Sequence, residues 1–519
     1  MTAITNSQTA DKSPQPNVFV VVAVFALALV AVVALRGRAL TTPYFWDEVG
    51  YYIPNALSMA RNHLYPIPTN TVPQSYPPLQ PLTLVAGWWV LGTSIAATRI
   101  VGFFTTALAL TVTCLLGREV SSPAAGIAAA ATTLATPVFL GQTGFAQPEI
   151  LLALFTVAAA LALIRDRMGW HAVAVTLLLM TKWTAIIALP AFGIYILWHA
   201  PTWREGLRKQ LWYVPGLGLL AIWLAFFHHV TGTFTSTDTH YARVNLWDNL
   251  NAQALVQRGA IRIEQLGEMD GAWLLYAPIL VAGAVWCWRR GTGRSPSVTP
   301  RSAQLAMLAG VCALYVAFLT VSGFLLPRYF VPVLPLFAVL AATALFELLP
   351  RTIAAAVSTA TVALLLLTWY GWFPSRYPPL LDMRPAYMDV VDAHRLAARY
   401  LEANVPDARI AATWPVLDVL RNSDFGYVTH PLETLPLDSL PAGPDALDRF
   451  DVLFEAPIPQ NPNPARERAL ELGLVEFARF RVGDGVAILW QRPPAATAAQ
   501  APAPNGGNSK PAVMYNPSP

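Results

Sequence analysis

The chain has 519 residues, of which 55% are hydrophobic and 12% are charged, and its mean hydropathy is +0.46. This fraction of hydrophobic residues is larger than the cores of one or two soluble domains can bury. It excludes an ordinary soluble protein and indicates a polytopic membrane protein. The formal net charge of +4 is too small to indicate a nucleic-acid partner.

The first sixteen residues are polar and are predicted to form a cytoplasmic tail. The apolar run that follows is long and lacks a small-residue cleavage site, which favours a retained first span over a signal peptide. A bilayer core of about 30 Å needs roughly 20 apolar residues as a helix. The segments predicted to span on this basis are 17–35, 99–117, 122–141, 147–164, 211–230, 272–288, 302–324, 329–349 and 352–373.

Two apolar segments have the wrong length for one span. Segment 79–92 would be only about 21 Å long as a helix and is rich in Trp, so it is expected to lie at the membrane surface. Segment 168–199 is too long and carries Lys182 near its middle, which predicts two short helices that meet at this lysine. Residues 17–375 are therefore predicted to form about eleven transmembrane helices together with interfacial helices.

The loop charges predict the orientation, because Lys and Arg are enriched in cytoplasmic loops. With the N-terminus inside, the basic residues concentrate in short inner loops, although Arg36 and Arg38 directly after the first span favour the opposite orientation. The preferred orientation predicts a multi-pass protein of the inner or plasma membrane. It places the loops 41–80 and 231–270, and everything after residue 374, on the extracytoplasmic side.

The chain changes character after the last predicted span. Residues 376–492 alternate the helix-like stretch MDVVDAHRLAARYLEAN with the strand-like stretches ARIAATW, RFDVLFEA, VEFARFRV and GVAILWQ, which predicts a small extracytoplasmic α/β domain. Residues 493–519 are rich in Pro, Ala and Gly and are expected to be disordered. Within the loop 231–270, the stretch VNLWDNLNAQALVQRGAIRIEQLGEM predicts a helix on the membrane surface.

The stretch YFWDEVGYY places Asp47 and Glu48 in an aromatic collar after the first span. Carboxylates at a bilayer edge persist when they face water, pair with cations or have a function. Because neighbouring helical residues point about 100° apart, only one of the two acids is expected to face any single pocket. The alternative is an aromatic belt in which both acids are solvated and cap a surface helix.

Three further charged residues lie at predicted span ends. Glu149 follows Pro148 at the start of a span, where an acid also complements the helix dipole. Lys182 lies between two apolar half-helices and needs water, an acid or an anionic ligand. Arg328 precedes a span from the outside, against both the loop-charge rule and the dipole, so a partner is expected. Ion pairs with acids of other loops, or snorkelling to headgroups, are the alternatives for both cations.

These acids and cations are predicted to share one membrane face with aromatic side chains that suit sugar rings. A polyprenyl-phosphate sugar would place its phosphate against Lys182 and Arg328, with Tyr329 beside them. A carboxylate across the sugar would take the proton from an acceptor hydroxyl. The candidate donor and acceptor pocket residues are Trp46, Tyr51, Tyr76, Pro77, His240 and Tyr241. For the last two, and for Asp238 beside them, a solvated loop is the alternative.

The order of the motifs resembles that of the GT-C glycosyltransferases related to protein O-mannosyltransferases and lipid A aminoarabinose transferases. The matching residues are WDE (46–48), SYPPLQPL (75–82), ATRIVGFF (97–104), LLGREV (115–120), QPEILLALF (147–155), LLMTKW (178–183) and PRYFVPVLPLFA (327–338). The resemblance covers about residues 17–373.

The resemblance implies an inverting transfer from a polyprenyl-phosphate-linked sugar, which is a co-substrate, to a hydroxyl of a glycan, lipid or protein. It implies that the first-loop Asp, here Asp47, is the general base. Family members often have Asp in the second outer loop, where this chain has Glu149. The predicted catalytic set is Asp47, Glu48 and Glu149, and these are the carboxylates that would hold a divalent cation if one binds.

Two other functions stay open at this point. A transporter or lipid flippase would also place charges within the membrane, but it should have paired interrupted helices in both halves of the chain, and the sequence has one candidate, around Lys182. A non-catalytic lipid-binding partner, whose soluble domain recruits another protein, is the third hypothesis.

Overall fold

The computed structural model describes residues 17–494 except for 69–72, 74, 235–250, 269–272, 292–299, 323–325, 373–384 and 458–462. Several predictions fall outside the described residues. They concern the cytoplasmic tail 1–16, the disordered tail from residue 495 onward, and the loop residues Asp238, His240 and Tyr241.

The chain is helical up to residue 369. Its helices there are α1 (Val18–Arg36), α2 (Ile53–Arg61), α3 (Leu79–Leu91), α4 (Ile95–Val120), α5 (Pro123–Ala135), α6 (Pro137–Gln142), α7 (Glu149–Ile164), α8 (Met168–Thr181), α9 (Leu189–His199), α10 (Trp203–Gln210), α11 (Val214–Thr231), α12 (Ala252–Glu268), α13 (Trp273–Gly291), α14 (Pro300–Ser322), α15 (Leu334–Leu348) and α16 (Arg351–Trp369). Helix α12 lies within the stretch predicted to be a surface helix.

The helical part belongs to a multi-pass membrane protein. Within the described residues, five helical stretches are long and apolar enough to cross a membrane, and seven shorter apolar helices have 10–17 residues. Helix α1 exposes Val18, Phe19 and Leu27, as a lipid-facing helix does, whereas α4 packs against α1, α5 and α7 and forms the centre of the bundle. The predicted number of eleven crossings stays a prediction.

Two predicted spans differ from the helices in their bounds. The predicted span 122–141 is two helices, because Thr136 is extended ahead of Pro137, and a residue before proline disfavours the helical conformation. The predicted span 329–349 begins later, at Leu334, because Pro327–Phe330 forms a separate 3-10 turn.

The predicted break at Lys182 is confirmed. Helix α8 ends at Thr181, Lys182 is extended with φ −158° and ψ 126°, and a 3-10 turn covers Trp183–Ala188. Helix α9 then starts with proline in its first turn, where the missing N–H is tolerated. The break leaves the lysine side chain beside the ends of two helices.

The C-terminal part is the predicted small α/β domain. Helix α17 (Ala386–Asn404) packs against a five-stranded sheet of β1 (Ile410–Ala412), β2 (Thr434–Pro436), β3 (Val452–Glu455), β4 (Val475–Val482) and β5 (Gly485–Gln491), with α18 (Val416–Arg421) and α19 (Pro464–Glu471). The order is β2-β1-β3-β5-β4, with β1 parallel to β2 and β3, and β5 antiparallel to β3 and β4. The sequence predicted the strands other than β2, which is three residues long and ends in proline.

Arg36 and Arg38 connect the membrane part to this domain. Arg36 is buried and donates to the carbonyls of Gly141 (3.2 Å) and Thr143 (3.3 Å). Arg38 forms ion pairs with Asp389 and Asp392 of α17, each at 2.8 Å. Both arginines therefore serve internal contacts, so their positions are not evidence against the predicted orientation.

Candidate active site

Asp47 stands at the entry of a π-helical turn, Glu48–Tyr52, that leads into α2. The residue before it, Trp46, has a left-handed backbone with φ 55°, which is strained for a bulky side chain and occurs often at functional sites. The Asp47 carboxylate accepts a hydrogen bond from Nη2 of Arg328. The partner expected for Arg328 is thus an acid from the first loop, 281 residues away.

Glu48 points elsewhere. It pairs with Arg99, and it also accepts a hydrogen bond from the backbone N–H of Ala146 at 2.8 Å. The side chain is fully buried. As expected from the angle between successive residues, the two adjacent acids face different surroundings.

Glu149 and Lys182 form the second ion pair of the site. Oε1 of Glu149, the first residue of α7, lies 3.5 Å from Nζ of Lys182, and both side chains are buried. Nζ also lies over the rings of Tyr76 and Tyr329, 4.8 Å and 4.6 Å from their centroids. Two electron-rich ring faces and one carboxylate thus stabilise the buried ammonium.

The Tyr329 ring joins the two pairs, with its centroid 4.6 Å from Nζ of Lys182 and 5.7 Å from Cζ of Arg328, and the Glu149–Lys182 pair lines a cleft. Its walls carry the predicted residues Tyr76, Glu149, Lys182 and Tyr329, together with Tyr315 and apolar side chains of α14 and the 3-10 turn after Lys182. Tyr52, at the end of the π-helical turn, interacts electrostatically with Glu149, Tyr76, Asp47 and Arg328. The structure therefore brings together the acids and cations that the sequence placed on one face.

Two tyrosines of the cluster were missed from the sequence. Tyr52 belongs to the YFWDEVGYY stretch, five residues after Asp47, so its place in the sequence could have identified it as a site residue. Tyr315 lies in the middle of the apolar α14, and nothing in the surrounding sequence indicates a site.

The other predicted pocket residues lie nearby. Trp46 packs against Phe45 and against Trp414 of the C-terminal domain. Tyr51 is half-buried on the π-helical turn, and Pro77 is buried directly after Tyr76. Neither Tyr51 nor Pro77 lines the cleft itself.

The predicted metal ligands do not gather. Asp47, Glu48 and Glu149 pair with three different cations, Arg328, Arg99 and Lys182. Within the described part of the chain, no group of three or more His, Cys, Asp and Glu residues is arranged to hold a metal ion. The geometry therefore does not fit a cation held by all three carboxylates.

Solved structures show the same arrangement of the chain. The apo structure of ArnT from Cupriavidus metallidurans superposes with a TM-score of 0.56 over 91% of this chain and 98% of ArnT, at 15% sequence identity. The ArnT structure bound to undecaprenyl phosphate gives a TM-score of 0.53 over the same shares, at 14% identity. This chain has the GT-C fold. The fold expected from the order of the sequence motifs is thereby confirmed.

Sequence comparison finds a relative over a shorter region. The polyprenol-phosphate-mannose–protein mannosyltransferase of Corynebacterium glutamicum is 31% identical over 159 residues, which is 29% of this chain and about 30% of that protein's length. No protein-family model matches the chain. The fold is therefore shown by the similarity to the ArnT structures. A fold alone does not determine an activity, which depends on the residues of the site.

Proposed function

We propose that this protein is a membrane glycosyltransferase that moves a sugar from a polyprenyl-phosphate-linked donor to an acceptor hydroxyl on the extracytoplasmic face. The observation that carries the proposal is two neighbouring ion pairs, Asp47 with Arg328 and Glu149 with Lys182, of which the second lines the cleft. The relatives support it. One ArnT structure contains undecaprenyl phosphate, and the Corynebacterium protein is named for a polyprenol-phosphate-mannose donor.

Lys182 and Arg328 are proposed to bind the donor phosphate. They are buried cations of the same cluster, and charge-assisted hydrogen bonds to phosphate are among the strongest in proteins. A guanidinium has five N–H donors, so Arg328 can contact the phosphate and Asp47 together. Tyr76 and Tyr329 hold the Lys182 ammonium in position.

Asp47 is proposed to act as the general base. As the acceptor oxygen forms its bond to the anomeric carbon, its proton passes to the Asp47 carboxylate. The bond from that carbon to the phosphate oxygen breaks, and its electron pair leaves with polyprenyl phosphate. Lys182 and Arg328 stabilise the charge that develops on the leaving phosphate. Attack from the face opposite the phosphate inverts the anomeric centre.

The other two acids take supporting roles in this proposal. Glu149 holds Lys182 by its ion pair, and Glu48 positions the loop that carries Asp47 through its pair with Arg99. No step needs a metal ion held by the three acids. The sequence predicted a catalytic role for Asp47, Glu48 and Glu149. The proposal keeps this role for Asp47 alone.

The test compares Asp47→Asn with Asp424→Asn. Asp424 forms an exposed ion pair with Arg61 at 2.6 Å, so it is a matched Asp–Arg control. With a cell-envelope extract as the source of acceptor, we expect purified Asp47→Asn protein in lipid nanodiscs to release no polyprenyl phosphate from a radiolabelled polyprenyl-phosphate sugar, whereas Asp424→Asn keeps wild-type turnover. Both should elute as folded protein. Full turnover by Asp47→Asn would reject it as the base.

The same preparation separates the alternative functions. Reconstituted vesicles with labelled donor in one leaflet report movement of the lipid without sugar transfer, which is the result expected of a flippase. Donor binding with neither transfer nor movement is the result expected of a non-catalytic lipid-binding partner.

A further inference from the structure

A tryptophan of the C-terminal domain reaches the loop that carries Asp47. Trp414 lies between β1 and α18, and its ring centroid is 5.0 Å from that of Trp46, with 60° between the planes. On the far side of Asp47, a Cβ added to Gly50 would lie 3.0 Å from Cζ2 of Trp414. Trp414 therefore touches residues on both sides of Asp47.

This contact is held by a broad docking surface. The backbone N–H of Tyr44 donates to the carbonyl of Phe425 at 3.2 Å. The Phe45 ring packs between Tyr387 and His394, at 5.9 Å and 5.4 Å. The position of Trp414 relative to Asp47 is thus set by several contacts that do not involve Trp414.

Exposure divides the aromatic residues of this region into two groups. Tyr44 and Phe45 are buried by the docked domain, and their role is packing. Trp46 is only half-buried, and Trp414 is 41% exposed although it belongs to a domain outside the membrane part. Large apolar side chains left open to water beside a reactive group commonly mark a binding surface.

We propose that Trp46 and Trp414 form an acceptor subsite for a carbohydrate ring. This inference rests on the proposed function and names its acceptor class. Two indole faces at an angle offer a pyranose its preferred apolar contact with ring C–H groups, and leave its hydroxyls to water and to Asp47.

Binding measurements test the subsite independently of transfer. The probes are mannotriose, maltotriose and cellotriose, with a threonine-rich peptide for comparison, and the readout is saturation-transfer NMR on the full chain in nanodiscs. We expect at least one trisaccharide to bind the wild type. Trp414→Ala should weaken this binding by about tenfold or more, and Trp414→Phe by less, because it keeps an aromatic face.

Two controls separate the subsite from stability and from catalysis. Trp372→Ala removes an exposed tryptophan that lies after α16, and should bind like the wild type. Asp424→Asn, at an exposed ion pair, should also bind like the wild type, and transfer is measured separately, so that failure of the proposed function leaves the binding result readable. Equal trisaccharide binding by Trp414→Ala and wild type, binding of the peptide instead of every sugar, or no sugar bound by the wild type would each overturn the proposal.

If Trp414→Ala fails to fold, trisaccharide binding is compared between Trp414→Phe and Trp414→Leu to separate a sugar subsite from a packing role. Both keep an apolar side chain against Gly50, but only phenylalanine keeps a ring. A role in packing alone predicts equal trisaccharide binding by these two variants, which would overturn the subsite. Weaker binding by Trp414→Leu supports it.

Discussion

Arg99 donates to both carboxylate oxygens of Glu48, and neither side chain is exposed to solvent. The same guanidinium donates to the carbonyls of Thr42 and Gly144, each at 3.2 Å. The pair thus joins the loop after α1, helix α4 and the segment that leads to Glu149. Through these contacts it fixes the segments that carry Asp47 and Glu149 relative to each other.

Removing Arg99 should destabilise the protein strongly. Arg99→Met leaves the Glu48 carboxylate buried without its cation, and breaking a buried pair in this way costs about 3–5 kcal/mol. Thermal unfolding in detergent measures the effect. The double variant Glu48→Leu, Arg99→Met should recover part of the loss, because no unpaired charge remains.

An exposed pair serves as the control for this prediction. Arg61→Gln removes the exposed pair with Asp424 and should change stability by about 1 kcal/mol or less. An Arg99→Met melting temperature as close to the wild type as that of Arg61→Gln would contradict a fixing role for the buried pair.

Replacing Lys182 should lower donor turnover, and because the change also leaves the buried Glu149 carboxylate without its cation, turnover is compared at equal amounts of folded protein. Lys182→Met removes the ammonium proposed to hold the phosphate, and loss of one such group typically lowers turnover by about 100-fold or more. Lys182→Arg should retain an intermediate rate, because it keeps the charge but not the compact shape that fits between Tyr76 and Tyr329. Turnover of a labelled polyprenyl-phosphate sugar and binding of polyprenyl phosphate are the measurements.

Lys209 provides a matched lysine. It lies on α10, and its ion pairs with described residues are long, 3.9 Å to Asp166 and 3.8 Å to Glu205. Lys209→Met should turn over the donor at the wild-type rate. Equal losses in Lys182→Met and Lys209→Met would indicate a general effect of charge and not a phosphate site.

The gathering of distant charges could be predicted from the sequence because each charge lies where an apolar span ends. A carboxylate or ammonium at that depth needs a partner, so Lys182 and Arg328 were expected to have one. Which acid each cation meets depends on how the helices rotate and pack, and the sequence does not contain that information. For this reason no partner was predicted for Arg99, although it forms the most buried ion pair of the site.

Local chain geometry limited the prediction in two further places. Arg36 and Arg38 look like topology signals, but Arg36 donates to a carbonyl within the helical part and Arg38 pairs with the C-terminal domain, and no count of loop charges includes such contacts. The proline at position 137 lies inside an apolar run that is long enough to cross a membrane. A prediction based on length alone therefore treated α5 and α6 as one span.

Acidification should loosen the docking of the C-terminal domain through His394. Burial among aromatic rings lowers the pKa of His394 from 6.5 to about 3, although a backbone contact with Val486 acts in the opposite direction. The unfolded chain therefore binds a proton that the folded chain does not between about pH 3 and 6.5. Stability falls as the pH drops through this window, by about 2 kcal/mol between pH 7 and pH 5.

Thermal melts of wild type and His394→Leu at these two pH values isolate the effect. The leucine variant should lose about 2 kcal/mol less than the wild type on acidification, because it has no proton to bind. His430→Gln, at a largely exposed position, should keep the wild-type pH dependence. Identical pH dependence of His394→Leu and wild type would contradict the buried neutral imidazole.

Cysteine labelling tests whether α3 crosses the membrane. The proposed orientation, with Asp47 and Glu149 both on the extracytoplasmic side, requires that it does not. Asn62 and Thr93 are exposed before and after this helix, and 13 residues of helix span only about 20 Å. In a chain whose native Cys114, Cys287 and Cys312 are replaced, a membrane-impermeant maleimide should label both Asn62→Cys and Thr93→Cys on intact cells. Leu470→Cys, exposed on α19, should also react, whereas Leu207→Cys on the predicted inner helix α10 should react only after lysis. Protection of Thr93→Cys in intact cells would mean that α3 crosses, and the proposed orientation of the cleft would then be wrong.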